Sequence, residues 1–350
     1  MRSPGYDYFS DPVMRAGMDA PGSALEAQVR AIVIERNGGP EVLELQELPA
    51  PQPGAEDLLV EPAAIGVNYR DVYERRGSGS YAGPLPRVVG VEGAGRVLAI
   101  GEGVQQFRTG DRVVWAAAPA SYAEQVVVPA EKAVSVPDEV SDERAAAVLL
   151  QGLTAQYLSS STYRVGEGDW VVVHAAAGGV GLLLTQLVRL RGGRVLATAS
   201  TDEKAELARG AGANEVVGYD RFAEHARELT GGEGVAAVFD GVGAATFENG
   251  LEALRPRGTM VLYGAASGAV PTVDVARLAS ASLFVTRPML GDYTATRSEL
   301  LERAENVLGL VGENKLDVRI GRRYPIEEAR RAHEDLEARR TTGKLLLLPR

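Results

Sequence analysis

The stretch His174–Gly181, HAAAGGVG, spaces its glycines for phosphate chemistry. It follows the apolar run WVVV and opens the apolar run GLLLTQLVRL, so strand, loop and helix come in the order a dinucleotide loop requires. Ala175 stands where the first glycine of a GxGxxG pattern would be. Gly178 lets the backbone approach a pyrophosphate, and Gly181 lets helix and strand pack closely. With Ala177, Gly179 and Val180 they offer backbone N–H groups at the positive end of a helix. Nineteen residues past Gly181 stands Ser200, in ATASTDEK. An NAD site would place a carboxylate at that strand end. None stands there, and Lys204 offers a positive charge to a 2′-phosphate. Asp202 and Glu203 are read as first-turn helix residues facing water. The spacing therefore predicts NADPH.

A second set of side chains can bind a developing oxyanion: Asn68, Tyr69, Tyr73 and Tyr81, all amide or phenol donors. Asp71 is read as a hydrogen-bond anchor, and His174 as a strand-end residue satisfied by backbone. His225 and His333 lie on charged helices and are expected to face solvent. No Ser/His/Asp arrangement at hydrolase spacing is visible. The chain of 350 residues has no cysteine and 3 histidines, which removes thiolate chemistry and Cys-ligated metals. Its 37 Lys and Arg against 47 Asp and Glu give −10, without the basic footprint of a nucleic-acid binder. No apolar run reaches membrane-span length. Residues 1–29 lack the apolar core of a secretory signal, so a cytoplasmic location is expected.

The elements that must position these groups follow from pattern. Residues 1–29, rich in Pro and Gly without apolar periodicity, read as a disordered extension. From Ala31 to Pro137 short β-rich pieces alternate with turns, predicting an all-β, barrel-like domain. After Ser141 a helical stretch leads into strands that alternate with helices, which means βαβ units and a parallel sheet. SLFVTRPM, at the end of that run, should be an edge strand. An unprotected edge invites pairing with a two-fold mate, so a homodimer is expected.

Together with GVEGAGRVLAIGEGVQQFRTGDRV (Gly90–Val113), NGGPEVLEL, IGVNYRDVY and SLFVTRP, the glycine loop makes the chain resemble the zinc-free NADPH:quinone oxidoreductases, the zeta-crystallin-like branch of the medium-chain dehydrogenase/reductase superfamily. The resemblance runs from Arg30 to the C-terminus. It implies an α/β protein: a GroES-like β-barrel-type catalytic domain (residues 30–152 and 291–350) and an inserted Rossmann doubly wound NADPH domain (153–290), with the active site in the cleft between. By motif match the nicotinamide lies near Asn68, Tyr73 and Thr154. The adenosine end is held by Ser200, Lys204 and Tyr219. Gly241 and Val242 pass under the cofactor, Tyr263, Gly264 and Ser267 follow the next strand, and Arg339 reaches the cofactor from the C-terminal segment. The loop Gly77–Pro86 departs from the family pattern in length, which blurs the match of Tyr81.

The zinc-dependent relatives need Cys and His ligands where this chain has Asn68 and Val91, so no zinc site is expected. Without a Lewis acid, hydride transfer favours acceptors that are already electron-poor, such as quinones and enones. Two other readings stay open. One is enoyl-thioester reduction, implied by the resemblance of Asn68, Asp71, Gly77 and Tyr81 to the N-x-x-D…G-x-Y pattern of related enoyl reductases, with extra residues before the tyrosine here. The other is a non-enzymatic NADPH-binding or structural role.

Overall fold

The computed structural model describes residues 27–270 and 272–350. They form two compact units: the described residues up to Leu150 together with Ile320–Arg350, and Gln151–Arg319. Most of residues 1–29 lie outside the described residues. At its inner end the structure departs from the expected extension. Gln28 and Val29 already belong to the first strand, and Val29 is buried.

The first unit is built from β1 (Gln28–Ile34), β2 (Glu44–Pro49), β3 (Asp57–Val67), β4 (Arg87–Val88), β5 (Gly93–Ile100), β6 (Arg112–Trp115), β7 (Val126–Pro129) and β8 (Val134–Ser135). Val, Leu and Ile dominate the buried positions of these strands. Those positions meet in a core that includes Ala31, Leu58, Val60, Val113 and Trp115. β2, β1 and β4 form a three-stranded sheet.

The second unit carries β9 (Trp170–Val173), β10 (Arg194–Thr198), β11 (Glu215–Val217), β12 (Val235–Asp240), β13 (Leu254–Leu262) and β14 (Phe284–Thr286). They pair in parallel in the order β11-β10-β9-β12-β13-β14. Every residue of β12 is buried, as a strand covered on both faces must be. The helix Gly179–Leu190 buries Leu182, Leu183, Leu184, Leu187 and Val188.

The chain then returns to the first unit through β15 (Ile320–Pro325) and β16 (Lys344–Leu348). They complete a seven-stranded sheet of order β15-β16-β3-β5-β6-β8, in which β7 also pairs with β3. Residues 291–319 group with the second unit, whereas the sequence reading assigned them to the catalytic domain. The cause is local packing. The helix Arg297–Gly312 buries Leu300, Ala304, Val307, Leu308 and Val311, and its Arg303 donates to Gln156 Oε1 at 2.6 Å. Gln186 Nε2 donates to the Asp317 carbonyl at 3.0 Å. Among the described residues no helix is long and apolar enough to cross a membrane.

Candidate active site

In the second unit the candidate cofactor residues gather at the carboxyl ends of neighbouring parallel strands, the edge where open α/β sheets bind ligands. Ala177 to Gly181 follow β9, Ser200 and Lys204 follow β10, and Tyr219 follows β11. Gly241 and Val242 follow β12; Tyr263, Gly264 and Ser267 follow β13.

Two backbone details show why the loop has its residues. Ala175 has φ 49°, the left-handed conformation that makes glycine the usual choice at this first position. A Cβ on Gly181 would lie 2.4 Å from the Ala175 carbonyl oxygen and 2.7 Å from Ala176 Cα. The helix can start against the strand only if residue 181 has no side chain. This arrangement fits a dinucleotide: a glycine-rich turn feeds a twelve-residue helix whose first N–H groups have no intrahelical acceptor.

The loop after β12 is organised by Asp240. Its Oδ1 accepts from the N–H groups of Val242 (2.6 Å) and Gly243 (3.0 Å), and its Oδ2 from the Thr246 hydroxyl (2.8 Å). Ser267 Oγ donates to the Val242 carbonyl at 2.8 Å and accepts from Ala245 N–H at 3.0 Å, tying the two loops together. His174 is wholly buried. Its Nδ1 lies 2.9 Å from Thr198 Oγ1, its ring stacks near Tyr219, and no hydrogen-bond partner meets its Nε2. Burial pulls its pKa down to about 4 against a smaller opposing effect of Asp240, so it is a neutral core residue rather than a base. Thr154 is buried on the helix Asp142–Tyr157.

In the first unit Asn68 caps the helix Tyr69–Arg76, and Asp71 Oδ2 accepts its backbone N–H at 2.8 Å. That helix presents Tyr69 and Tyr73 edge to face at 5.3 Å; Tyr73 meets Tyr81 at 5.6 Å, and the Arg70 guanidinium lies over Tyr81. The three candidate phenols thus form one half-buried group. Arg339 lies on an exposed turn after the helix Ala329–Glu337, with φ 57°.

Behind Asp71 runs a buried polar chain that the sequence reading missed. Tyr122 donates its hydroxyl to Asp71 Oδ2 at 3.0 Å. His333 Nε2 is 3.2 Å from the Tyr122 oxygen, and Arg75 donates to His333 Nδ1 at 3.0 Å. Arg75 can only donate, so Nδ1 accepts and the His333 proton sits on Nε2, directed at Tyr122. Both carboxylate oxygens of Glu337 accept from Arg75 Nη2, each at 3.0 Å. The expectation that His333 faces solvent is therefore overturned. It lies four residues after Ala329 on the stripe that also buries Ala332 and Asp335, while Arg330, Arg331 and Glu334 take the outer face. Burial and the Arg75 charge hold its pKa down to about 3. His225 is half-buried beside Glu228.

The sequence reading also missed Glu92 and Lys344, both fully buried and paired with each other. Lys344 Nζ donates to Asn68 Oδ1 at 2.7 Å, and Asn68 Nδ2 donates to Glu92 Oε2 at 2.8 Å. The only local signal was a lysine opening the otherwise apolar run KLLLL.

Two family models match the chain: Alcohol dehydrogenase GroES-like domain over residues 54–138, and Zinc-binding dehydrogenase over residues 179–306. A quinone oxidoreductase of Pseudomonas aeruginosa is 44% identical over 317 residues, which cover 89% of this chain and 97% of that one. A mycobacterial protein solved in complex with NADPH is 49% identical, with a TM-score of 0.89, covering 91% of this chain and 100% of that one. The Escherichia coli quinone oxidoreductase, also solved with NADPH, is 40% identical with a TM-score of 0.89 over the same shares. Despite the second family description, no group of three His, Cys, Asp or Glu among the described residues could hold a metal ion.

Proposed function

The chain belongs to the quinone oxidoreductases of the medium-chain dehydrogenase/reductase superfamily, and from that premise we infer that it reduces quinones with NADPH. The observation that carries this reading is the glycine-loop geometry of Ala175 and Gly181, retained in a chain 44% identical to a quinone oxidoreductase over nearly its whole length.

When bound, NADPH supplies a hydride, and quinone, hydride and one proton from the medium give the hydroquinone. The chain's own part is to bind and orient. Gly178 to Gly181 would meet the pyrophosphate through backbone N–H groups, with Ala177 in the same turn. Ser200, Lys204 and Tyr219 would hold the adenosine end, and Lys204 would supply the charge that selects a 2′-phosphate. Gly241, Val242, Tyr263, Gly264 and Ser267 would line the cofactor's path, with Thr154 and Asn68 toward the nicotinamide and Arg339 from the C-terminal segment. Tyr73 and Tyr81 offer phenol donors to the developing hydroquinone anion. That anion has an unperturbed pKa near a phenol's, ~10, so it needs hydrogen bonds but no strong acid. We read the reaction as metal-free, because the positions that carry zinc ligands in related dehydrogenases are Asn68 and Val91 and the chain has no cysteine. We also propose a homodimer through β14, which ends its sheet and leaves Phe284 60% exposed. Sedimentation at micromolar concentration tests it, and a monomer would refute it.

The test of function is NADPH oxidation with 1,4-benzoquinone, 9,10-phenanthrenequinone and crotonyl-CoA. Quinone turnover is expected. Activity with the thioester alone would replace this reading by enoyl reduction, and inactivity with all three by a binding role. Tyr73→Phe and Tyr81→Phe should each lower quinone turnover by about 10-fold or less, the worth of one neutral hydrogen bond. A loss above ~100-fold from either would reveal a dedicated proton donor.

A further inference from the structure

Lys344 and Glu92 stand 252 residues apart in sequence and form an ion pair with side chains 1% and 0% exposed. Taking two charges out of water is expensive, and a well-packed apolar pair is often as stable or more so. The pair therefore needs a reason other than stability, and its surroundings supply one. Both charges are turned onto the amide of Asn68. An ammonium only donates and a carboxylate only accepts, so one orientation of that amide is allowed: Oδ1 toward Lys344, Nδ2 toward Glu92. The reverse would set N–H groups against the ammonium and an oxygen against the carboxylate.

The backbone is shaped to admit the pair. A Cβ on Gly66 would lie 2.2 Å from Glu92 Oε2 and 2.9 Å from Lys344 Cε. The second oxygen of Glu92 is also committed, because Oε1 accepts the backbone N–H of Leu150 at 2.7 Å. The Asn68 amide is thus held closely by both charges, with the Gly66 carbonyl accepting from its Nδ2 at 3.4 Å as a longer third contact.

We propose that Glu92 and Lys344 are positioning residues for the reaction: their ion pair sets which way the Asn68 amide faces, and thereby how Asn68 meets the nicotinamide and the acceptor. This rests on the reading that Asn68 belongs to the active site. It gives both residues a role in turnover rather than in cofactor affinity, because the phosphate and adenosine groups are held by the other unit's loops.

The test is the double variant Glu92→Gln/Lys344→Met, made in the full chain and also combined with Asn68→Ala. The double variant removes both charges together and leaves an oxygen for the Leu150 N–H. It also provides an amide N–H where the carboxylate stood, so the Asn68 amide loses the two charges that orient it and keeps only the longer bond to the Gly66 carbonyl. Expected are a kcat with quinone lowered by about 10-fold or more, a KM for NADPH changed by less than about 3-fold, and no further loss of kcat when the pair is removed in the Asn68→Ala background. A merely structural role would lower kcat in both backgrounds alike. Full kcat in the double variant, or additive losses, would overturn the proposal while leaving the role of Asn68 intact. If Asn68→Ala itself keeps full kcat, the placing of Asn68 in the site fails instead. Should the double variant not fold, Glu92→Leu/Lys344→Met, an apolar pair of similar size, goes through the same comparison and is judged by the same outcomes.

Discussion

The glycine loop of the second unit and the surroundings of Asn68 in the first are specified in opposite ways. The loop is shaped by backbone. What matters is where a Cβ is missing, as at Gly181, and where a left-handed residue is tolerated, as at Ala175. Its instructions lie within the eight residues His174–Gly181. Asn68 is shaped by side chains gathered from afar: Asp71 three residues on, Glu92 at 24 and Lys344 at 276. A phosphate site needs N–H groups and space, which every residue's backbone can provide. Fixing one amide needs charges of chosen sign on either side, and only tertiary folding can deliver those. The first kind of site tolerates variation in residue type as long as the chain path survives. The second tolerates variation in neither partner alone.

The largest expected effect follows from that last point. Lys344→Met by itself leaves the Glu92 carboxylate buried without its cation and should cost about 3–5 kcal/mol of stability. Denaturant unfolding compared with Glu92→Gln/Lys344→Met checks it, since the double variant should recover most of the loss. If the single change is harmless, the pair is not holding a buried charge and the contrast between the two regions weakens. Gly181→Ala is the corresponding break in the loop. Its Cβ would meet two backbone atoms that cannot swing away, so about 1–3 kcal/mol of overpacking is expected, with a loss of NADPH affinity. Thermal unfolding and a fluorescence titration of NADPH should move together; a variant that binds NADPH normally would contradict the loop's assignment.

This difference also explains what could be read from the sequence. The βαβ run, the glycine loop, the edge position of β14 and the anchoring role of Asp71 rest on patterns spanning a few residues, and all are present in the structure. The helix Tyr69–Arg76 was not read as one, because YRDVYERR carries a single aliphatic residue and no apolar stripe. β15 was missed for a similar reason. IGRRYP is mostly exposed and becomes a strand only by pairing in parallel with β16. Glu92, Tyr122, His333 and Lys344 were invisible as a group because nothing local says that they meet. His333 was misplaced because charged neighbours hide a narrow buried stripe.

Lys204→Ala should act more weakly, since the side chain is only partly buried and its charge is screened. Losing a charge-assisted contact to a 2′-phosphate is worth about 1.5 kcal/mol, or roughly a 10-fold rise in KM for NADPH with little change for NADH. Equal effects on both cofactors would remove Lys204 from phosphate recognition and leave the loop's backbone to do that work.

The smallest expected effect is a slope. Each region buries one histidine, His174 in the second unit and His333 in the first, and burial holds their pKa values down to about 4 and about 3. In the unfolded chain both take up a proton near pH ~6.5 that the folded protein refuses. Stability contributed by their neutral forms is therefore lost as pH falls below ~6.5. Asp71 works in the other direction. Burial, only partly offset by the Arg70 charge, raises it to about 7, so the folded protein keeps a proton that the unfolded chain sheds near pH ~4. Its contribution falls as pH rises from ~4 to about 7. Between about pH 5 and 6.5 two histidines outweigh one carboxyl, and the free energy of unfolding should increase with pH at a slope of about one proton. Replacing either histidine by glutamine should flatten that slope to near zero, which unfolding curves at four pH values can resolve. The comparison is sharpened by the case in which the two variants differ. The His174 ring is bonded to Thr198, whereas His333 is linked through Tyr122 to Asp71. If His174→Gln flattens the slope and His333→Gln does not, then His333 and Asp71 exchange protons as one buried unit behind Asn68. The first unit would then be specified by a network even in its titration, and the second residue by residue.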